Sequence, residues 1–243
     1  MTQRVDWFFG RGLSIGCGLH WSIPNEWVEL GRPTLVSRIV EAIRSEMSKP
    51  EIDTSDIRKF LTFIAAGTNE PWRHQFHTTN WDFLLQREIS TLDLQVQPTW
   101  LANTHVYHLN GTAEDLSENQ NRSPIVLETD SAQNRTWSVE SEEAFSKIMW
   151  NTTFVMVGIS FECEVDKFIL TALSRVQDDL PIGDSTWILI NPNGSALRDS
   201  SARIQAALPC ARLIPVETTF GKWLSVGMPE LRDLGVLAAA PIV

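Results

Sequence analysis

Cysteine is scarce in this chain of 243 residues, which contains only Cys17, Cys163 and Cys210, far apart in the sequence. No C-x-x-C pair occurs, and the five histidines show no metal-ligand spacing, so the sequence predicts no structural zinc site and no other metal centre. An odd number of dispersed cysteines is typical of a reducing compartment. We therefore expect a cytoplasmic protein.

Basic residues and long hydrophobic runs are also few. Lys and Arg number 20 against 30 Asp and Glu, which gives a net charge of −10. This charge disfavours nucleic-acid binding by the surface as a whole but leaves open a local basic patch. The late apolar stretch 234–243 is interrupted by Gly235 and Pro241 and is too short to span a bilayer. Asp6 interrupts the N-terminal apolar run, so we expect no signal peptide and no membrane.

Apolar runs of β-forming residues alternate with segments of helical periodicity. Strands are predicted over 5–9, 75–78, 105–109, 125–127, 154–157, 187–190 and 213–216. Helices are predicted over 33–47, 54–66, 83–88, 140–149, 165–176 and 195–207, with a polar, loop-rich excursion over 113–135. Unbroken apolar strands between helices indicate an α/β fold, a doubly wound parallel sheet with helices on both faces.

Small and polar residues follow the predicted strands, where ligands bind in a doubly wound sheet. The first strand leads into a glycine loop in which Gly10 and Gly12 allow backbone N–H groups to approach a pyrophosphate, and Ser14 offers a hydroxyl. Gly158 and Ser160 follow a later strand and suit a ribose or phosphate. Each feature has a simpler interpretation as an ordinary turn, and their joint occurrence at successive strand ends favours a nucleotide site.

Three further polar residues sit at strand ends. Asn80 and Asp82, two apart, could orient a water or stabilise a cationic ribosyl carbon, or could be a helix cap. Asn191 could pair with a base or ribose edge, or could belong to a simple turn.

Five motifs in order resemble the sirtuin-like (Sir2-type) NAD-cleaving domains of bacterial anti-phage defence proteins. They are FGRGLS (9–14) with the downstream Gly18-Leu19 and Pro24–Trp27, TTNWDFLL (78–85), VYHLNGT (106–112), VGISF (157–161) and INP (190–192). They resemble, in turn, the family patterns G-A-G-x-S…G-[IL]-P-x-W, T-T-N-Y-D-x-L-L, V-x-K-L-H-G-S, V-G-Y-S-F and I-N-P. The match runs from about residue 5 to 226.

The resemblance implies one Rossmann-like domain over residues 1–243, with a core at about 5–226 and a tail at 227–243. It implies that NAD is the substrate, with Asn80 and Asp82 beside the nicotinamide ribose. By the same resemblance, the dinucleotide would be held by Gly10, Arg11, Gly12, Ser14, Gly158, Ser160 and Asn191. The implied reaction is loss of neutral nicotinamide through an oxocarbenium-like state, an NAD+ glycohydrolase activity.

The chain departs from the family pattern in three places. Asn110 stands where the family has its catalytic histidine, and an amide cannot take a proton near neutral pH. His108, two residues earlier on the predicted strand, could substitute. Arg11 replaces a small residue and could meet a phosphate or crowd the loop, and the zinc-ribbon cysteines of protein deacetylases are absent.

The resemblance also implies a role and a partner. Such enzymes are effectors of abortive infection that deplete cellular NAD+ when triggered, and no sensor fits beside the catalytic core. We therefore expect a hetero-oligomer with a separate sensor protein: a short Argonaute, a helicase-type protein, or a nucleotide-sensing protein as in the Kongming system, which the compact size favours. The alternatives are a catalytically silent NAD- or ADP-ribose-binding module, and a sirtuin-like deacylase or ADP-ribosyl transferase.

Overall fold

A computed structural model describes residues 4–67, 74–91, 101, 104–114, 124–130, 144, 152–179 and 185–237. Six strands form one sheet in the order β3-β2-β1-β4-β5-β6, and every neighbouring pair is parallel. The strands are β1 (Arg4–Phe9), β2 (His74–Thr78), β3 (Val106–His108), β4 (Thr152–Val157), β5 (Thr186–Ile190) and β6 (Arg212–Val216). This architecture confirms the predicted α/β parallel sheet, and its strand order is that of the Rossmann fold.

Helices connect the strands and lie on both faces of the sheet. They are α1 (Arg11–Gly16), α2 (Arg32–Met47), α3 (Ser55–Gly67), α4 (Leu84–Ser90), α5 (Glu164–Asp179), α6 (Gly194–Ala207), α7 (Phe220–Ser225) and α8 (Pro229–Asp233), with a 3-10 turn at Asn25–Trp27. Pro33 occupies the first turn of α2, where its missing N–H costs nothing. The side chain of Asn193 accepts hydrogen bonds from two N–H groups at the start of α6 and fixes that helix's beginning.

The alternation of side chains along β1 divides the core into two layers. Trp7 and Phe9 pack on one face against the fully buried Phe60 of α3, with ring centroids 4.7 and 5.5 Å apart respectively. Phe8 points to the other face, where Phe154 stacks on Trp187 at 4.6 Å. Trp7 and Phe9 on one face and Phe8 on the other are all buried, so the central strand is covered on both sides, as in a parallel sheet.

Two segments differ from the sequence-based prediction. Part of the predicted glycine loop forms the short helix α1, which buries Leu13 and Ser14. Residues 125–127 form no strand: the Val126 N–H donates to the Asn110 carbonyl at 2.8 Å instead of joining a ladder, although Ile125 and Leu127 are buried. Of the helix predicted over 140–149, only Ala144 is among the described residues, and it is helical.

No helix within the described ranges is both long and apolar enough to cross a bilayer. The sheet has its topological switch point between β1 and β4, since the chain leaves β1 toward β2 on one side and β4 pairs on the other. Ligands bind at such a point in doubly wound sheets, outside the carboxyl ends of the strands. The candidate site is therefore sought there.

Candidate functional site

The carboxyl ends of the strands line up at one edge of the sheet. Phe9 is in register with Thr78 and with Val157, and Val157 with Ile190. The first residues beyond the strands continue the ladder, because the N–H of Thr79 donates to the Phe9 carbonyl and the N–H of Gly158 donates to the Ile190 carbonyl. The polar residues that follow these strands therefore start from one edge, as the sequence predicted.

The glycines bring the β1 and β4 ends into backbone contact. A Cβ on Gly12 would lie 2.7 Å from the Cα of Gly158, and one on Gly10 would lie 2.6 Å from the Gly158 carbonyl oxygen. Gly158 itself has φ of +64°, a conformation that other residues rarely adopt. The N–H groups of Gly10 and Gly12 donate to the carbonyls of Val157 and Gly158. In this structure these glycines thus serve the packing of two loops, and their N–H groups are already engaged.

A buried hydrogen-bond chain joins the ends of β1 and β2. The Asn80 amide Nδ2 donates to the Gly10 carbonyl at 3.0 Å and to the Ser14 hydroxyl at 2.7 Å, and that hydroxyl donates to Asp82 Oδ2 at 2.6 Å. The other oxygen of Asp82 accepts the Leu84 N–H at 3.2 Å. Because both amide hydrogens of Asn80 are used, its Oδ1 is the atom through which it can meet a ligand.

A second cluster surrounds the carboxylate of Asp166, in the first turn of α5. The Asn110 amide Nδ2 donates to the Thr79 carbonyl at 3.0 Å and, more weakly, to Asp166 Oδ1 at 3.4 Å. The side chains of Thr79 and Cys163 lie beside this carboxylate and favour its charged form, and the Asp166 N–H donates to the Cys163 sulfur at 3.4 Å. The amide hydrogens of Asn110, like those of Asn80, are donated to protein groups, so its side-chain oxygen is the atom that can accept a hydrogen bond from a ligand.

Both clusters face one cavity of about 750 Å³. It is lined by Arg11, Ser14, Leu19, Trp21, Ser22, Ile23, Val28, Leu35, Thr79, Asn80, Trp81, Asp82, Asn110, Leu127, Glu128, Thr129, Gly158, Ser160, Glu162, Cys163 and Asp166. The volume falls within the ~300–1,000 Å³ of cofactor and small-molecule sites. Trp21 and Trp81 form an aromatic wall, with ring centroids 5.6 Å apart.

The cavity wall is acidic and rich in acceptors. Asp82, Glu128, Glu162 and Asp166 line it, against Arg11 as the one basic side chain among its lining residues. Arg11 is exposed and donates to the Trp21 carbonyl at 2.9 Å. An acidic wall of this kind stabilises positive charge inside the cavity. Arg11, at the exposed edge of the cavity, can instead bind an anionic group.

Burial perturbs the ionisable groups of the cavity. Removal from water raises the pKa of Asp82, although the hydrogen bonds from the Ser14 hydroxyl and the Leu84 N–H act in the opposite direction. The pKa of Asp166 is raised by the same cause, against the hydrogen bonds from Cys163, Asn110 and Thr79. Burial and the Asp166 charge raise the pKa of the Cys163 thiol to about 11, so Cys163 is a thiol at neutral pH.

The structure brings most of the predicted site residues together. Arg11, Ser14, Asn80, Asp82, Asn110, Gly158 and Ser160 line the cavity. Asn191 is not among the lining residues, and its side-chain oxygen accepts the Asn193 N–H at 2.9 Å. Whether any of these residues binds a dinucleotide stays a prediction.

His108 does not reach the cavity. It is buried on β3, which ends there, and the Gly111 N–H donates back to its carbonyl at 3.1 Å in a turn. His108 is not among the residues that line the cavity, and its part in the predicted site stays a prediction.

Sequence reasoning missed Asp166, Cys163, Glu128 and the two tryptophans. The only available signal for Asp166 was its place shortly after the Gly158–Ser160 turn, at the start of a helix, and acidic residues at helix starts are common without function. Among the described residues, no group of three or more His, Cys, Asp or Glu is arranged to hold a metal ion.

The fold is similar to that of a sirtuin. A crystal structure of Sir2 in complex with the inhibitor EX-527, 2′-O-acetyl-ADP-ribose and a deacetylated p53 peptide matches with a TM-score of 0.52 at 13% identity, covering 96% of this chain and 94% of that one. No protein-family model matches the chain, and no curated protein does. The chain therefore has a sirtuin-like, Rossmann-like fold.

Proposed function

We propose that this chain is an NAD+ glycohydrolase, which cleaves NAD+ with water to nicotinamide and ADP-ribose. The observation that carries the proposal is the buried chain from Asn80 through Ser14 to Asp82, which lines a cavity at the switch point of a sirtuin-like sheet. The sequence motifs that contain these three residues resemble those of NAD-cleaving domains. Fold, cavity and motif thus support the same substrate.

The electrostatics of the cavity suit this bond cleavage. Breaking the N-glycosidic bond converts the cationic nicotinamide into a neutral leaving group and moves positive charge to the ribosyl C1′. The wall presents the oxygens of Asn80 and Asn110 and the carboxylate of Asp82, all of which stabilise that charge. Fixed dipoles and charges of this kind lower the barrier because they require no reorganisation during the reaction.

The dinucleotide would lie along the edge formed by the β1 and β4 ends. Ser160 and the exposed Arg11 line the cavity and can meet hydroxyl and phosphate oxygens. Gly10, Gly12 and Gly158 would contribute by letting the two loops approach each other. The indoles of Trp21 and Trp81 offer a surface on which a planar ring can stack.

The biological role we propose is that of a cytoplasmic effector in a bacterial anti-phage system, depleting NAD+ when a partner protein senses infection. The support is the ordered set of motifs shared with such defence proteins, and the free thiols of all three cysteines fit a reducing compartment. The partner would be a protein encoded beside this chain, with a nucleotide-sensing or Argonaute-like module.

The test is nicotinamide release. The chain is incubated with NAD+ alone and with each co-encoded protein and its candidate trigger, and products are separated by chromatography. We expect nicotinamide and ADP-ribose in equal amounts from the native sequence, and none from the Asn80→Ala variant. Equal release from both proteins under every condition would contradict the proposal.

A second candidate function is a silent NAD- or ADP-ribose-binding module. The observation that favours it is Asn110, an amide that cannot exchange a proton at the position of the family's base. This candidate predicts ADP-ribose binding by calorimetry without turnover in any complex. Binding together with turnover would leave only the hydrolase.

A further inference from the structure

Hydrolysis needs a proton acceptor for the attacking water, and most polar groups of the cavity cannot serve. Asn80 and Asn110 are amides with no accessible protonation near neutral pH. Both oxygens of Asp82 are engaged, one by the Ser14 hydroxyl at 2.6 Å and one by the Leu84 N–H at 3.2 Å. Asp82 therefore holds Ser14 and the start of α4 in place.

Two other carboxylates of the cavity are poorly placed. Glu128 and Glu162 are exposed, and an oxygen of Glu128 accepts the Glu164 N–H at 3.3 Å. Exposed flexible side chains do not hold an acceptor within reach of one water for long, because each bond rotation moves the oxygens. The cavity therefore leaves one carboxylate that is both half-buried and fixed.

That carboxylate belongs to Asp166. Asn110 Nδ2 donates to its Oδ1 at 3.4 Å, a longer and weaker hydrogen bond than those that engage Asp82, and the side chains of Thr79 and Cys163 lie beside it. Its own N–H donates to the Cys163 sulfur at 3.4 Å, which fixes the first turn of α5. Asn110, the residue at the position of the family histidine, thus contacts a group that can take a proton.

We propose that Asp166 is the general base of NAD+ hydrolysis in this chain, taking over the proton transfer that Asn110 cannot perform. The proposal rests on the proposed NAD+ glycohydrolase function. As the C1′–N bond breaks, its electron pair leaves with nicotinamide. Water then forms the C1′–O bond, and one of its protons passes to an oxygen of Asp166. ADP-ribose departs, and Asp166 releases the proton to solvent, so that one NAD+ and one water yield nicotinamide, ADP-ribose and a proton.

The surroundings of Asp166 suit this task. Burial raises its pKa, and the Glu128 charge acts in the same direction, which makes the carboxylate a stronger base than an exposed aspartate. A base is most effective when its pKa approaches the working pH. The asparagine keeps the carboxylate oriented without competing for the proton, so Asn110 is a positioning residue here.

The test separates water activation from bond cleavage. Labelled nicotinamide can re-enter NAD+ by attacking C1′, a step that transfers no proton, whereas hydrolysis needs the base. For Asp166→Asn we expect hydrolysis to fall ~10²–10⁴-fold, while exchange of labelled nicotinamide and ADP-ribose binding stay near those of the native protein. The matched control is Glu164→Gln, an exposed acid of the same helical turn outside the cavity, which should change neither rate.

Two more variants guard against a folding defect. Asp166→Glu keeps a carboxylate and should retain more hydrolysis than Asp166→Asn, and Asp166→Ser replaces Asp166→Asn if the latter melts early. Equal hydrolysis in native and Asp166→Asn proteins overturns the role of Asp166 alone. Loss of exchange together with hydrolysis, with ADP-ribose binding intact, also overturns it, because Asp166 would then act in bond cleavage. If the native complex neither hydrolyses nor exchanges, the proposed function fails and this inference with it.

Discussion

Substitution of Gly12 by alanine tests whether glycine is needed at this position for the close packing of the β1 and β4 ends. The new Cβ would lie 2.7 Å from the Cα of Gly158, a backbone atom that cannot rotate away. Overpacking of this kind costs ~1–3 kcal/mol, which for a chain of this size lowers Tm by ~2–12 °C. Gly16→Ala in the same helix is the matched control, because a Cβ there meets nothing within 4 Å.

The assay is thermal unfolding of both variants without ligand. We expect Gly12→Ala to melt well below the native protein and Gly16→Ala at or above it, since alanine favours helix by ~1 kcal/mol over glycine. If Gly12→Ala melts with the native protein and loses only ADP-ribose affinity, the glycine serves phosphate approach. The packing explanation would then be refuted.

Two further predictions concern the core. In urea unfolding, Phe60→Ala should destabilise the protein by ~3–5 kcal/mol, because the fully buried ring of Phe60 contacts Trp7, Phe9, Phe76 and Phe220. The control Phe63→Ala removes a half-buried ring from the same helix and should destabilise the protein clearly less. Similar losses of stability for the two variants would contradict the assigned core. Burial lowers the pKa of His77 below its ordinary 6.5, so as pH falls the unfolded chain binds a proton at this residue before the folded protein does. His77 should therefore reduce the free energy of unfolding as pH falls below 6.5. His77→Gln should flatten the pH dependence of the free energy of unfolding between about pH 7 and 5, and an unchanged slope would refute this assignment.

The sequence predicted the sheet well because each strand is a short apolar run between helices. Burial of β1, β4 and β5 on both faces produces uninterrupted runs such as those at 154–157 and 187–190, which cannot be surface strands. The convergence of strand ends follows from parallel pairing alone. It required no knowledge of side-chain contacts.

The failures have physical causes as well. Ile125 and Leu127 alternate with the half-buried Val126 like a strand, but they only cover the core, and Val126 bonds to Asn110 instead of a neighbouring strand. The glycines of 10–16 indicated a loop, yet packing of Leu13 and Ser14 makes part of it helical. The sequence could not predict Asp166 as a site residue, because its contact with the site is made with Asn110, which is remote in sequence.

The measurement that tests the central claim most directly is proton NMR of NAD+ mixed with the native chain and its proposed partner and, in parallel, with the Asn80→Ala variant and the same partner. Asn80 closes the hydrogen-bond chain to Ser14 and Asp82, so its loss removes the Oδ1 acceptor from the cavity and leaves the Ser14 hydroxyl without the hydrogen bond from the Asn80 amide. We predict that free nicotinamide and ADP-ribose signals grow only with the native protein, while Asn80→Ala keeps its fold. Growth of both signals at the same rate with Asn80→Ala would contradict the account.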